Sequence, residues 1–283
     1  MANQSRAVLI TGCSSGIGHA TADRLARAGK RVYATARRPD AIADLAESGC
    51  ELLALDVTDE ESTRSAVEHV EEREGAVGVL VNNAGYSQSG AIESVPMEAV
   101  RRQFETNVFG LVRLTQLVLP AMRAQRWGRI VNLSSIGGRV VFPGGGFYHA
   151  TKYAVEAISD ALRFEVEGFG IGVTVIEPGL IRTRFGEVAA SSVRDETAGR
   201  GAYDDFNEAV ATTTAGAYAN GLLAKFSGTP DDVAKAIEKA IDAERAPTRV
   251  PVTASAHLVI PQRKITPDRV WDRMMRVAFP RPK

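Results

Sequence analysis

Thr11-Gly12-Cys13-Ser14-Ser15-Gly16-Ile17-Gly18 joins a strand-like apolar run, Ala7–Ile10, to a segment with helical periodicity, Ile17–Ala28. The glycines follow the spacing T-G-x-x-x-G-x-G rather than G-x-G-x-x-G. They permit a tight turn and close approach of the backbone to a bound group. The helix that follows offers unpaired N–H groups and the positive end of its dipole, a ready site for phosphate. A glycine-rich loop alone is weak evidence, but here the strand before it and the helix after it supply the required context. Gly12, Ser14, Ser15, Gly16, Ile17 and Gly18 are therefore read as a pyrophosphate cradle.

Outward from this loop, strand-like and helix-like segments alternate as far as residue 180. Strands are expected at Ala7–Thr11, Arg31–Ala36, Glu51–Leu55, Val77–Asn82, Arg129–Leu133 and Gly172–Ile176, with a seventh at Thr248–Thr253. The runs are nearly continuous in apolar character, which suits strands covered on both faces of a parallel sheet. Helical periodicity marks Ile17–Ala28, Glu60–Arg73, Met97–Gln125 and Tyr148–Phe169. This alternation predicts βαβ units in a doubly wound α/β fold, a seven-stranded parallel sheet with helices on both faces.

Composition narrows the function. The chain has 283 residues, 45% apolar and 24% charged, with 34 Lys plus Arg against 34 Asp plus Glu. Ordinary apolar content and zero net charge exclude intrinsic disorder and remove the electrostatic case for nucleic-acid binding. Cys13 and Cys50 are too few and too far apart for a disulfide framework or a zinc site. The four histidines show no metal spacing and none pairs with a carboxylate in a recognisable motif, so all are read as structural or surface. Nothing reads as a secretory signal or a membrane span. The expectation is a soluble protein of the reducing cytoplasm that uses no metal.

Beyond the second strand stand Ala36-Arg37-Arg38. An acid near this place binds a ribose 2′-hydroxyl; a guanidinium there binds a 2′-phosphate through charge-assisted bonds. The arginine pair favours NADP(H) over NAD(H). Further along, Tyr148 and Lys152 are spaced i, i+4 at the start of a helix and share a face. A nearby ammonium favours phenolate and lowers a tyrosine pKa, making it a usable general acid/base. Ser135, at the end of a strand and thirteen residues before Tyr148, can hydrogen-bond a substrate oxygen; spacing alone favours it over Ser134. Asn82-Asn83-Ala84-Gly85 ends another strand, and Asn107 occupies a mid-helix position that asparagine does not favour.

Together these residues resemble the short-chain dehydrogenases/reductases, in the subfamily of about this length. T-G-x-x-x-G-x-G, N-N-A-G, the helix asparagine, the serine, Y-x-x-x-K and P-G-x-x-x-T (Pro178 to Thr183) occur in the family's order over residues 6–183. The resemblance implies a single Rossmann-type domain over 1–283 and a homodimer or homotetramer. It implies Tyr148 as acid/base, Lys152 as the cation that lowers its pKa and holds the nicotinamide ribose, and Ser135 as the group polarising the carbonyl. Asn107 would position a water linking Lys152 to solvent. Asp56 and Val57 would meet the adenine, and Asn83, Ala84 and Gly85 would border the adenosine. Pro178, Gly179, Ile181 and Thr183 would lie at the nicotinamide, with the Ile181 backbone and Thr183 side chain on its carboxamide. The loop T-G-C-S-S-G-I-G and the second strand V-Y-A-T-x-R look like the 17β-hydroxysteroid dehydrogenase type 1 and retinol dehydrogenase branch, which acts on bulky apolar alcohols and ketones.

Two stretches fit the βαβ rhythm less well. Residues 184–228 are rich in Ala, Gly, Thr and Ser with scattered aromatics, and are read as a substrate lid, the alternative being a surface helical pair with no role. Residues 249–283 hold eight Lys/Arg against Asp268 and Asp272, yet carry enough apolar residues to pack as a C-terminal extension. The resulting expectation is NADP(H)-dependent interconversion of a ketone or aldehyde and an alcohol on a medium-sized apolar substrate. Two alternatives stand beside it. One is a carbonyl substrate bearing a carboxylate or phosphate, held by Arg182, Arg184, Arg194 or Arg200. The other is a non-catalytic NADP-binding regulator.

Overall fold

In the computed structural model, which describes residues 4–183, 185–197, 201–219 and 226–279, the parallel strands follow the order β3-β2-β1-β4-β5-β6-β7. They are β1 (Val8–Ile10), β2 (Val32–Ala36), β3 (Glu51–Ala54), β4 (Val79–Asn82), β5 (Gly128–Leu133), β6 (Ile171–Pro178) and β7 (Arg249–Val252). All seven expected strands are present, each within a few residues of its expected bounds. Alternate residues of one strand feed opposite cores, because successive side chains leave a strand on opposite faces. Val8 and Ile10 join Leu25, Val233 and Ile237 on one side; Leu9 joins Val67, Leu114, Val118 and Leu162 on the other. Helices α1 (Gly16–Arg27) and α8 (Pro230–Asp242) thus cover the first face. The second is covered by α2 (Glu60–Glu74), α4 (Gly110–Gln125) and α5 (Gly146–Glu167).

The strand order reverses between β1 and β4, and the crevice outside the carboxyl ends at such a reversal is where ligands bind. Helix ends near it are set locally. Asp59 caps α2 by accepting from the Ser62 N–H at 2.7 Å, and Thr229 and Asp232 form a reciprocal capping box on α8.

One expected helix is not continuous. The span Met97–Gln125 contains α3 (Met97–Phe104), a π-turn at Glu105–Phe109 and then α4. The extra residue of a π-turn re-aims a side chain inside an otherwise regular helix, and Asn107 lies in it. The insertion forms α6 (Phe185–Thr197) and α7 (Asp204–Ala219), packed on each other through Ala190, Val193, Val210 and Ala211. The C-terminal stretch forms α9 (Ala254–Ile265) and α10 (Asp268–Ala278); Phe279 reaches the α6–α7 cluster. No helix among the described residues is long and apolar enough to cross a membrane.

Candidate active site

The carboxyl ends of β1, β2, β4, β5 and β6 surround a cleft of about 940 Å³. The glycine loop forms one wall. Gly12 and Gly16 take φ of +72° and +61°, which a side chain rarely adopts, and a Cβ on Gly12 would press on the backbone of Ala84. Ser15 precedes α1 in extended conformation without capping it, and the first turn of α1 holds no acid. The N–H groups of that turn and the positive end of the dipole therefore remain for an anion in the cleft. The loop is pinned to β4 by the N-N-A-G segment. Asn83 Nδ2 donates to the carbonyls of Thr11 at 2.8 Å and Gly12 at 3.1 Å, while Thr11 Oγ1 accepts from the N–H groups of Asn83 and Ala84. This cradle fits a dinucleotide pyrophosphate.

Most expected cofactor residues line the cleft: Gly12, Ser14, Ser15, Gly16, Ile17, Arg37, Asp56, Val57, Asn83, Ala84, Gly85, Tyr148, Lys152, Pro178, Gly179, Ile181 and Thr183. Two do not. Gly18 lies beneath the loop, where a Cβ would meet the Gly12 carbonyl and the Asn83 amide, so it serves close packing of helix on strand. Arg38 begins the 3₁₀ turn Pro39–Ala46 and does not line the cleft that Arg37 lines. Adjacent residues leaving a strand point to opposite sides.

The catalytic candidates meet at the other end. Tyr148 and Lys152 stand one turn apart on α5, and both are buried. Ser135 ends the loop after β5, caps the turn Ile136–Gly138 by accepting from the Gly137 N–H at 3.0 Å, and acts to lower the Tyr148 pKa. Ser134 also borders the cleft, with its Oγ close to Gly138 on the side of Glu156.

Burial pushes the Tyr148 phenol up to about 12, opposed only by the Ser135 hydrogen bond. The expectation that Lys152 lowers that pKa is not met in this arrangement. Its Nζ donates to the Leu133 carbonyl at 2.7 Å and lies 5.9 Å from the phenol ring centre. Burial lowers the ammonium itself to about 8, with Glu156 one turn on acting to raise it.

Asn107 does not line the cleft. The π-turn turns its amide to Tyr86, donating to the carbonyl at 2.9 Å and accepting from the N–H at 3.1 Å, and to Thr151 Oγ1 at 3.1 Å. It therefore ties the segment after β4 to α5. Gly85 lies between the Asn107 amide and the Lys152 ammonium.

Tyr86, Gln88, Arg101 and Arg102 border the cleft without having been expected there, while Phe185 and Val188 belong to the stretch 184–228 read as a substrate lid. Phe185 opens α6, and its ring packs on Tyr148 with centres 5.5 Å apart. Its place two residues after Thr183, at the start of that stretch, is the signal the sequence carries. Arg101 and Arg102 carried none, since nothing in α3 marks which face meets the cleft. Phe142 and Phe147, on either side of the loop before Tyr148, do not line the cleft: Phe147 packs against Val95, Ala99 and Val100, and Phe142 against His149 and Trp271. Arg182 bonds Ser227 rather than facing the cleft, while Arg184, Arg200 and the Arg194 side chain lie outside the described residues.

His149 is buried and held in one tautomer, since Nε2 accepts from the Phe142 N–H and Nδ1 faces the Gly137 carbonyl, both at 3.1 Å. Burial lowers its pKa to about 4. Gly145 lies against this ring and Gly144 against Val210, so the glycine run serves close packing. His19 and His69 do pair with carboxylates, Asp44 at 2.8 Å and Glu51 at 2.6 Å; each partner lies on another segment of the chain. Cys13 is buried, its thiol pushed up to about 12, a filler rather than a nucleophile.

Sheet order, cradle and Tyr-Lys-Ser group define a dinucleotide-binding oxidoreductase fold. Residues 6–193 match the family described as short chain dehydrogenase, and the chain belongs to that family. The uncharacterized oxidoreductase YbbO of Escherichia coli is 35% identical over 271 residues, 95% of this chain and 94% of its own. A 3-ketodihydrosphingosine reductase of Bacteroides thetaiotaomicron is 44% identical over 182 residues, 64% of this chain and 66% of its own. Among solved structures, the closed form of serine dehydrogenase complexed with NADP+ superposes with a TM-score of 0.73 at 27% identity, covering 87% of this chain and 94% of that one.

Proposed function

We propose that this oxidoreductase uses NADP(H) to interconvert a ketone or aldehyde and an alcohol on a medium-sized apolar substrate. The observation that carries the reading is Tyr148, roofed by the Phe185 ring, lining with Ser135 and Lys152 the same cleft as the glycine cradle. When bound, NADP(H) supplies or accepts the hydride. Arg37 would hold its 2′-phosphate, the open N–H groups of α1 its pyrophosphate, Asp56 and Val57 its adenine, and Thr183 its carboxamide.

In the reducing direction the Tyr148 O–H gives its proton to the carbonyl oxygen, and Ser135 donates a hydrogen bond to that oxygen as charge develops. The Lys152 ammonium, held by the Leu133 carbonyl on the same helix face, would hold the nicotinamide ribose. Asn107 holds the segment after β4 against α5, so that Gly85 and Lys152 keep their places. In the oxidising direction the same groups act in reverse, with the phenolate as base. Phe185 and Val188, from the insertion we read as a lid, supply an apolar wall, as ligand pockets usually require. The relative from Bacteroides, by its name a 3-ketodihydrosphingosine reductase, supports a carbonyl substrate.

Arg101 and Arg102 on the cleft favour a second reading, a carbonyl substrate bearing a carboxylate or phosphate. NADPH consumption with matched ketones, differing only in a terminal carboxylate, decides between them. The apolar member should have the higher kcat/KM; a tenfold preference for the charged one, about 1.4 kcal/mol of transition-state binding, selects the second reading. In the same assay Tyr148→Phe should lower the rate ~10²–10⁴-fold while NADPH binding is kept. A variant retaining most of the activity means that another group moves the proton. No turnover by the wild type with any ketone, aldehyde or alcohol would point instead to a non-catalytic NADP-binding role.

A further inference from the structure

Helices α9 and α10 are each buried on one side only. Ala256 and Ile260 of α9 pack into the body beside Ile136, and Trp271 of α10 is buried with its ring 6.2 Å from that of Phe142. Each helix then leaves a second apolar stripe in solvent. On α9 it comprises Ala254, Leu258, Pro261 and Ile265, spaced by four, three and four residues, with Leu258 57% and Ile265 83% exposed. On α10 it comprises Val270, Met274 and Val277, spaced by four and three, with Val277 88% exposed. Such spacing places each set on one helix face.

Every member of the α10 stripe directly follows an arginine: Arg269, Arg273 and Arg276 form a cationic stripe beside the apolar one. Those three and Lys264 are exposed and make no ion pair among the described residues. Of the two acids on α10, Asp268 is bound to Arg263 at 2.7 Å, which leaves Asp272.

We propose that α9 and α10 form a docking surface for the anionic face of a lipid bilayer, the apolar stripes entering the acyl boundary and the four cations meeting phosphate headgroups. A short helix with one basic and one apolar face, anchored by its remaining side, is the arrangement that lies in such an interface rather than across it. Charge distinguishes this partner from a second copy of the chain. A two-fold self-contact would set the same four cations against themselves, whereas an anionic headgroup layer complements them. Nucleic acid would match the cations but leave the apolar stripes in water. The buried side of α10 meets the loop that leads into α5, where Trp271 touches Phe142.

The test is co-sedimentation of the full chain with two kinds of vesicle, phosphatidylcholine alone and phosphatidylcholine mixed with phosphatidylglycerol. The wild type should bind the anionic vesicles at least tenfold better than the neutral ones, and less so as salt rises. The triple variant Arg269→Glu, Arg273→Glu, Arg276→Glu, and separately Val277→Glu, should each lose at least tenfold of that binding while keeping NADPH binding and helical circular dichroism. Val277 touches little, so its substitution leaves the fold intact. The proposal is overturned if neither vesicle is bound, if both are bound equally, or if Val277→Glu only converts a dimer to a monomer in sedimentation velocity. None of these outcomes depends on turnover, so failure here is distinct from failure of the proposed reaction.

Discussion

Arg37 and Arg38 leave β2 side by side, yet only Arg37 borders the cleft. A pair indistinguishable by type is divided by the alternation of side chains along an extended chain. Arg37→Ala should weaken NADPH binding by about 1.5–3 kcal/mol, the value of a hydrogen bond to a charged group, with NADH binding unchanged. Arg38→Ala should change neither. Fluorescence titration of the four enzyme–cofactor pairs checks this, and equal losses for NADPH and NADH would refute the assignment. Ser134 and Ser135 show the same division: one hydroxyl faces the carboxylate side of α5, the other the phenol.

Among the elements, α5, β6 and β7 are fastened by charge as well as by packing. Arg249 of β7 donates to Glu156 of α5 at 2.9 Å and to Asp160 at 2.6 Å, and lies 3.5 Å from Glu177 of β6, which Arg139 also holds. Glu156 and Glu177 are buried, so each carboxylate depends on its partners. Burial already raises the Glu156 pKa, with Arg249 opposing. Arg249→Met should cost about 3 kcal/mol, the low end for breaking a buried pair, measured by urea unfolding. Adding Glu156→Gln should recover part of the loss, because it removes the charge left without a partner; no recovery would mean that Arg249 acts through packing alone. The same helix carries Lys152 one turn and Tyr148 two turns before Glu156, so this fastening holds the candidate catalytic pair against the sheet.

For the whole molecule, buried His149 makes stability depend on pH. Its folded pKa of about 4 lies below the unfolded value of 6.5. Between those values the unfolded chain binds a proton that the folded chain refuses. Stability is therefore highest above 6.5 and falls as pH drops toward 4, by up to about 1.4 kcal/mol per pH unit. His149→Asn should be less stable at pH 7, having lost contacts to Phe142 and Gly137, but should show a shallower slope through this window. Urea unfolding of both proteins at stepped pH reads the difference. Parallel slopes would show that other groups control the acid limb.

Much of this protein is legible in its order of residues. The glycine loop, the strand ends carrying Asn83 and Ser135 and the helix start carrying Tyr148 and Lys152 each depend on neighbours within a few positions. So do the seven strands, because a strand buried on both faces must be apolar throughout. What only the tertiary structure decided is which side chains meet across distant segments. The π-turn that sends Asn107 to Tyr86 and Thr151, the Phe185 ring over Tyr148, and the bonds that fix the buried His149 ring all join residues from separate elements. The same holds for the exposed stripes of α9 and α10, whose apolar residues read from sequence as a packed tail. Periodicity shows that a helix has apolar faces; how many of them are covered depends on the surface it lands on, and that surface is assembled from the rest of the chain.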